Sequence, residues 1–145
     1  MKLKIAIAFI FIWIGCIVAI SFMEAWLKFR APGVTLPIGL GIGRLVFGML
    51  NKVEWVLLFI TTFGIIEVAG KSKTAVYCFS AAAIILLLQT FWLLPALDAR
   101  AQQIIDGKSI TASNHHLIFA ILEVIKFTVL FITGFGFLKH IPDKS

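Results

Sequence analysis

Charged residues are scarce in this chain. Only 14% of its 145 residues are Asp, Glu, Lys or Arg, whereas 61% are hydrophobic and the mean hydropathy is +1.05. Soluble domains are roughly 45 to 50% apolar, so this chain has too little polar surface to cover a water-soluble globule. The composition excludes an ordinary soluble domain and indicates that lipid is the solvent for much of the chain.

Cysteine and histidine are also few, and they form no Cys-x-x-Cys or His-x-x-x-His pair that would predict a metal site. Cys16 and Cys78 both lie in apolar runs, where an unpaired thiol packs as a small hydrophobic group. Gly39, Gly41 and Gly43 follow no predicted strand, so they do not fit a dinucleotide-binding loop. Small residues that let helices approach closely are the better interpretation.

The basic residues outnumber the acidic ones by 13 to 7, which gives a formal net charge of +6. They are scattered singly beside apolar runs rather than gathered in a patch. Anionic lipid head groups are therefore the expected counterpart, and nucleic acid is not.

Four segments are long and apolar enough to cross a hydrocarbon core, which needs about 20 helical residues. Helices are expected because lipid offers backbone groups no other partner. The sequence predicts an all-α membrane protein, a single domain over residues 1–145 that forms a bundle of four transmembrane helices. The spans lie near 5–27, 46–69, 74–95 and 114–138, and a short surface helix is expected near 97–106, after Pro95.

The first segment begins like a signal peptide, with Lys2 and Lys4 ahead of an apolar stretch. The apolar run continues through Leu27, whereas a signal core is about 7 to 15 residues long. We therefore expect an uncleaved first span.

Residues 44–64 and 116–136 resemble one another when they are aligned without gaps. Thr61, Phe63 and Gly64 match Thr133, Phe135 and Gly136, and several Leu and Phe positions also coincide. The match predicts that the second and fourth spans are copies, each the second helix of a hairpin, in two parallel repeats. Since the first and third spans show no clear match, chance similarity between two Leu/Phe/Ile-rich helices stays open.

The fourth span carries a polar stripe of His115, His116, Glu123 and Lys126. At about 100° per residue, His116 and Glu123 lie within about 20° of each other and Lys126 about 60° further round. The second span repeats the spacing with Arg44, Asn51 and Glu54. Ionisable groups within spans usually face the bundle interior, so we expect the two stripes to meet there.

Three interpretations of this polar group stay open. The charges can simply satisfy one another and fix the helix register; they can line a cavity for a small ligand or ion; or His115 or His116 can bind a metal or haem. The metal interpretation is the weakest, because adjacent helical residues point about 100° apart. Elsewhere, Gln89 is expected to hydrogen-bond to another helix, and Trp13 to fill the core or anchor an interface.

The chain resembles the transmembrane-protein-205-like family of small four-span membrane proteins. The resemblance rests on Phe91-Trp92-Leu93-Leu94-Pro95, on the segment 98–107 and on His116 at the start of the last span. It implies four spans but no catalytic residues, because the family is mostly uncharacterised, with a eukaryotic member linked to resistance to a platinum drug. Glu123 departs from the family pattern, in which a neutral amide is expected, and Lys126 adds a charge.

These observations predict a non-enzymatic protein of the inner (plasma) membrane, with both termini in the cytoplasm, that binds or passes a small solute or ion. Its partners are expected to be anionic lipids, and a second copy or a complex partner would contact the glycine-rich face 39–48. Redox or cofactor binding and a structural role in a complex are the alternatives. The expected ligand- or ion-binding residues are Arg44, Asn51, Glu54, His116, Glu123 and Lys126, with no metal ligand among them.

Overall fold

Four long helices form the protein. The computed structural model describes residues 2–66, 70, 72–108 and 113–141, and those ranges contain no strand. The helices are long and apolar enough to cross a membrane, and we name them α1 (Lys2–Arg30), α2 (Leu36–Ile65), α3 (Lys73–Ile105) and α4 (His115–Leu138). The predicted all-α bundle of four helices is confirmed, and the chain is a multi-pass membrane protein.

The helices are arranged as a ring in which each packs against the next along the chain and α4 returns to α1. As a result, α2 and α4 face each other diagonally, and the rings of Phe47 and Phe119 meet edge to face with their centroids 5.5 Å apart. An apolar core that includes Ile10, Leu130 and Phe137 fills the half of the bundle nearer the chain termini. Both cysteines are free thiols, as expected.

The outer surface of the bundle is apolar. Leu45 is 77% exposed, Phe59 65% and Phe91 74%, and many other large hydrophobic side chains share this outward position. Such a continuous apolar exterior would be unfavourable in water, whereas it suits contact with lipid acyl chains.

Two helix boundaries differ from the sequence prediction. The helix α2 begins at Leu36 rather than near residue 46, because Pro37 lies in its first turn, where the missing N–H has no intrahelical partner to lose. The third helix does not end at Pro95 as expected but continues to Ile105, and its last segment, Leu94–Ile105, is a regular α-helix at the place of the short helix expected near 97–106. Residues 67–69 of the predicted second span lie outside the described residues.

Helices α1 and α2 form one hairpin, and α3 and α4 form the other. The first helix of each hairpin contains a wider, π-helical segment, at Val18–Glu24 in α1 and Gln89–Leu93 in α3. In α3 the backbone N–H of Leu94 donates to the carbonyl of Gln89, five residues earlier. This turn directly precedes Pro95, which lacks an N–H and would interrupt the regular pattern. The π segment thus lets the helix pass the proline, and such segments frequently occur at functional sites.

The two hairpins show related contacts. Each π segment begins 16 residues after the start of its helix. A Cβ built on Gly64 would lie 2.4 Å from that of Ala6, and one built on Gly136 would lie 3.0 Å from that of Ala75. The glycines therefore allow close approach of the helices within each hairpin. These equivalences favour duplication, which stays a prediction.

Candidate functional site

A group of buried polar side chains joins all four helices, and we call it the central cluster: Trp13, Glu54, Gln89, Glu123 and Lys126. The Lys126 ammonium lies 2.5 Å from Oε1 of Glu54 and 2.7 Å from Oε1 of Glu123. The exposed fractions of these three side chains are 0%, 3% and 1%, respectively. The ammonium is thus held between two carboxylates on opposite helices, away from solvent.

Neutral donors and acceptors complete the central cluster. The indole of Trp13 donates to Oε1 of Glu54 at 2.8 Å. Gln89 donates to Oε1 of Glu123 and accepts from the Lys126 ammonium, both at 2.6 Å. The expected interhelical hydrogen bonding of Gln89 is confirmed. Gln89 is a buried residue at the start of the π segment of α3.

A smaller polar group lies beside the central cluster. Asn51 and Trp55, on α2, both donate to the hydroxyl oxygen of Thr90, at 2.9 and 3.0 Å. That hydroxyl in turn donates to the carbonyl of Leu86 on its own helix. All of these groups satisfy one another, so they fix the contact of α2 with α3.

A cavity of about 280 Å³ opens between the helices at the end opposite the chain termini. We call it the end pocket. Phe29, Phe47 and Phe119 give it apolar walls, and Lys28, Arg44, Asp98 and His116 are its ionisable lining residues. Phe47 and Phe119, which contact each other, are its deepest lining residues on α2 and α4 and separate it from the central cluster.

Lys28 is held firmly in the wall of the end pocket. Its ammonium bonds to Glu24 one turn earlier at 3.2 Å and lies 5.2 Å from the ring centre of Phe47. A Cβ on Gly43 would lie 2.8 Å from this ammonium. The absence of a side chain at Gly43 therefore gives Lys28 the space to reach into the bundle.

Arg44 joins α2 to the last turns of α3. Its Nε lies 3.5 Å from Asp98, and a terminal guanidinium nitrogen donates to Gln102. Both Arg44 and Asp98 remain partly exposed, so the pair is accessible from water. A partly exposed ion pair of this kind can be rearranged by an incoming charged group at little cost.

The structure places the six predicted site residues at two depths. Glu54, Glu123 and Lys126 meet in the central cluster, whereas Arg44 and His116 line the end pocket. Asn51 lies between them in position along α2 and bonds to Thr90. Arg44 and Glu54 are ten residues apart, about 15 Å along a helix, so one helical face contributes to both sites.

The histidines do not form a metal site with other described residues. His116 lines the end pocket, while the ring of His115 contacts Trp92 and the hydroxyl of Ser113. Among the described residues, no group of three His, Cys, Asp or Glu side chains is placed to hold a metal ion. The two adjacent histidines thus lie in different surroundings.

Sequence reasoning missed Lys28, Asp98 and Trp13 as parts of these sites. Lys28 and Asp98 each follow an apolar span, where charged residues usually lie at the membrane–water interface. Nothing in the sequence therefore distinguishes them from ordinary interfacial residues. Trp13 was expected to fill the core or anchor an interface; it is fully buried in the core, and it also donates to Glu54. The requirement that a buried indole N–H find an acceptor is the signal that could have linked Trp13 to a carboxylate.

Comparison with protein-family models, curated proteins and solved structures gave no match for this chain. The resemblance to the transmembrane-protein-205-like family therefore stays a prediction.

Proposed function

We propose that this membrane protein binds a small amphipathic anion, a molecule with an acyl or similar apolar part and a carboxylate or phosphate group, in the end pocket. One observation carries the proposal: a cavity of about 280 Å³ between the helices combines apolar walls with cationic side chains. Cavities near this size, mostly apolar with a few polar groups, are typical of small-molecule sites.

The charges of the end pocket favour an anion. Its lining contains Lys28 and Arg44 but a single carboxylate, Asp98, with the imidazole of His116 beside them, while Glu24, the partner of Lys28, lies outside the lining. An incoming carboxylate or phosphate could exchange with Asp98 at the exposed guanidinium of Arg44, since such charge-assisted bonds are among the stronger ones. The apolar part of the ligand would then contact Phe29 and Leu94.

Binding is a better account than free passage. Beyond Phe47 and Phe119 the bundle contains the mutually paired central cluster. Further on, the buried core around Ile10 and Leu130 is apolar. A charged solute would have to cross both layers, so the end pocket is proposed as a site reached from one side.

We infer further that the protein lies in the inner (plasma) membrane with both termini in the cytoplasm and anionic lipid head groups at its ends. Lys28 and Arg44 are engaged in ion pairs, which leaves fewer cations at their end to meet head groups. In a background without native cysteines, Ala31→Cys should react with a membrane-impermeant thiol reagent in intact cells, and Lys4→Cys should not. The reverse pattern would contradict this orientation.

The proposed ligand class can be tested with decanoate and two probes of the same chain length, decylamine and decanol. We expect native mass spectrometry in mild detergent to detect a decanoate complex and much weaker complexes with the amine and the alcohol. Lys28→Met and Arg44→Met should each weaken decanoate binding about tenfold, the effect of losing one charge-assisted hydrogen bond.

Lys52→Met is the matched control, because Lys52 is an exposed residue of α2. It should leave decanoate affinity unchanged. Equal binding of all three probes, or equal losses in all three variants, would overturn the proposal and indicate nonspecific partition of the alkyl chain onto the lipid-facing surface.

A further inference from the structure

The central cluster contains more negative than positive charge. Glu54 and Glu123 carry two carboxylates, and Lys126 supplies one ammonium. The other groups that face it are neutral: Trp13 from α1 and Gln89 from α3, with the thiol of Cys16 from α1 near enough to interact electrostatically with Glu54. With all three ionisable groups charged, the cluster would hold a net charge of −1 inside the bundle.

An uncompensated charge at this depth is strongly unfavourable, because the side chains that carry it are buried away from solvent. The hydrogen bonds show which carboxylate oxygen lacks a compensating partner. Oε1 of Glu123 meets both Gln89 and Lys126. Oε2 of the same carboxylate is buried and has no hydrogen-bond partner among the described residues.

We propose that the central cluster binds one exchangeable proton, shared by the carboxyl groups of Glu54 and Glu123. The proton comes from water and returns to it, and its binding converts a cluster of charge −1 into a neutral one. The Lys126 ammonium then forms an ion pair with the carboxylate that remains and donates a hydrogen bond to the neutral carboxyl group. This inference is independent of the ligand proposed for the end pocket.

A proton fits this cluster better than a metal cation. The Lys126 ammonium already occupies the position between the two carboxylates, within 2.7 Å of each. A hard cation would need about six oxygen ligands, whereas in the described part of the chain the central cluster has one buried carboxylate oxygen without a partner, Oε2 of Glu123. A proton needs no such set of ligands, because it binds to a single carboxyl group.

The structure also indicates from which side the proton exchanges. Glu123 lies one turn beyond Phe119, a deep lining residue of the end pocket. On the other side, the buried side chains of Leu57 and Leu130 belong to the apolar core. Water that enters the end pocket is therefore separated from Glu123 mainly by the Phe47–Phe119 contact.

Infrared spectroscopy can test the proposal in lipid nanodiscs at neutral pH, without any added ligand. The wild type should show one protonated carboxyl group per chain, with a carbonyl band that shifts after exchange into D2O. Glu123→Gln should lose this band. Glu54→Gln should lose it as well, because the remaining Glu123 and Lys126 form a neutral pair.

In Lys126→Met we expect the intensity of the carbonyl band to increase. Without the ammonium, both carboxyl groups need a proton for neutrality, so the band should double. Glu24→Gln, a change in the ion pair beside the end pocket, should leave the band unchanged. The wild-type measurement alone decides the matter if a variant does not fold.

Absence of a protonated carboxyl band in the wild type would overturn the proposal. So would a band that survives in both Glu123→Gln and Glu54→Gln, or one that disappears when Na+ or K+ is added, since the site would then hold a metal cation.

Discussion

Replacement of Lys126 by Met should lower the free energy of unfolding by about 3 to 5 kcal/mol, the usual cost of removing one partner of a buried ion pair, because the remaining carboxylate must then take up a proton at neutral pH or stay charged inside the bundle. Lys126 is fully buried and is the ammonium that contacts both Glu54 and Glu123. Its removal brings two carboxyl groups together with no cation between them. Equilibrium unfolding in mixed micelles, measured by steric trapping or by circular dichroism, gives the free-energy difference.

Two further variants test whether the loss of the ion pair causes the destabilisation of Lys126→Met. Lys52→Met makes the same chemical change at an exposed position of α2 and should cost less than about 0.5 kcal/mol. The triple variant Glu54→Gln, Glu123→Gln and Lys126→Met should recover most of the loss, because a buried ion group replaced as a whole leaves no charge unpaired. Equal destabilisation by Lys126→Met and Lys52→Met would show that the central cluster does not stabilise the bundle.

Gly43→Leu should abolish most of the ligand binding that we propose, with at least a tenfold loss of decanoate affinity, or about 1.4 kcal/mol. A side chain at this position extends into the end pocket, where a Cβ alone would lie 2.8 Å from the Lys28 ammonium and 3.4 Å from its Cε. The substitution therefore fills the cavity and displaces one of its cations. Native mass spectrometry with decanoate gives the affinity.

The matched control is Gly41→Leu, two residues away on the same helix. A Cβ on Gly41 would meet no atom within 4 Å among the described residues, so this variant should bind decanoate as the wild type does. Because the atom nearest to Gly43 is the flexible end of a lysine, Gly43→Leu should keep its thermal stability. Normal decanoate affinity in Gly43→Leu would place the ligand outside the end pocket.

The fold was predictable because lipid restricts the alternatives. An apolar segment of about 20 residues in a bilayer must be helical, and four such segments are visible in the sequence. The boundaries were less predictable, since Pro95 was expected to end a helix that instead continues through it. The π segment at Gln89–Leu93 lets the helix continue past the proline. No simple residue pattern predicts such a segment.

The sequence predicts which helix face carries each polar stripe. It does not predict which side chains of the neighbouring helices lie at the same level. A helical period shows that Arg44 and Glu54 lie near one face of α2. It does not show which neighbouring side chains lie at each level. In the structure Glu54 meets Lys126 at the centre, whereas Arg44 meets Asp98 near the helix ends.

The structure brings equivalent positions of the sequence repeat into contact. Glu54 and Lys126 are 72 positions apart, as are Phe47 and Phe119, and the members of each pair contact each other. Equivalent positions in two parallel hairpins would meet in this way along a shared two-fold axis. Opposite charges at equivalent positions could not have arisen in a symmetric pair of identical hairpins. If the hairpins are duplicates, the central cluster formed after they diverged.

The most direct test of the end pocket is photoaffinity labelling with a diazirine-bearing medium-chain fatty acid, followed by mass spectrometry of the labelled peptides. We expect labels on pocket residues such as Phe29, Leu94 and Leu97, and competition by unlabelled decanoate but not by decylamine. Labels spread over lipid-facing residues such as Leu45 and Val56, with no competition by decanoate, would contradict the proposal that the end pocket binds an amphipathic anion.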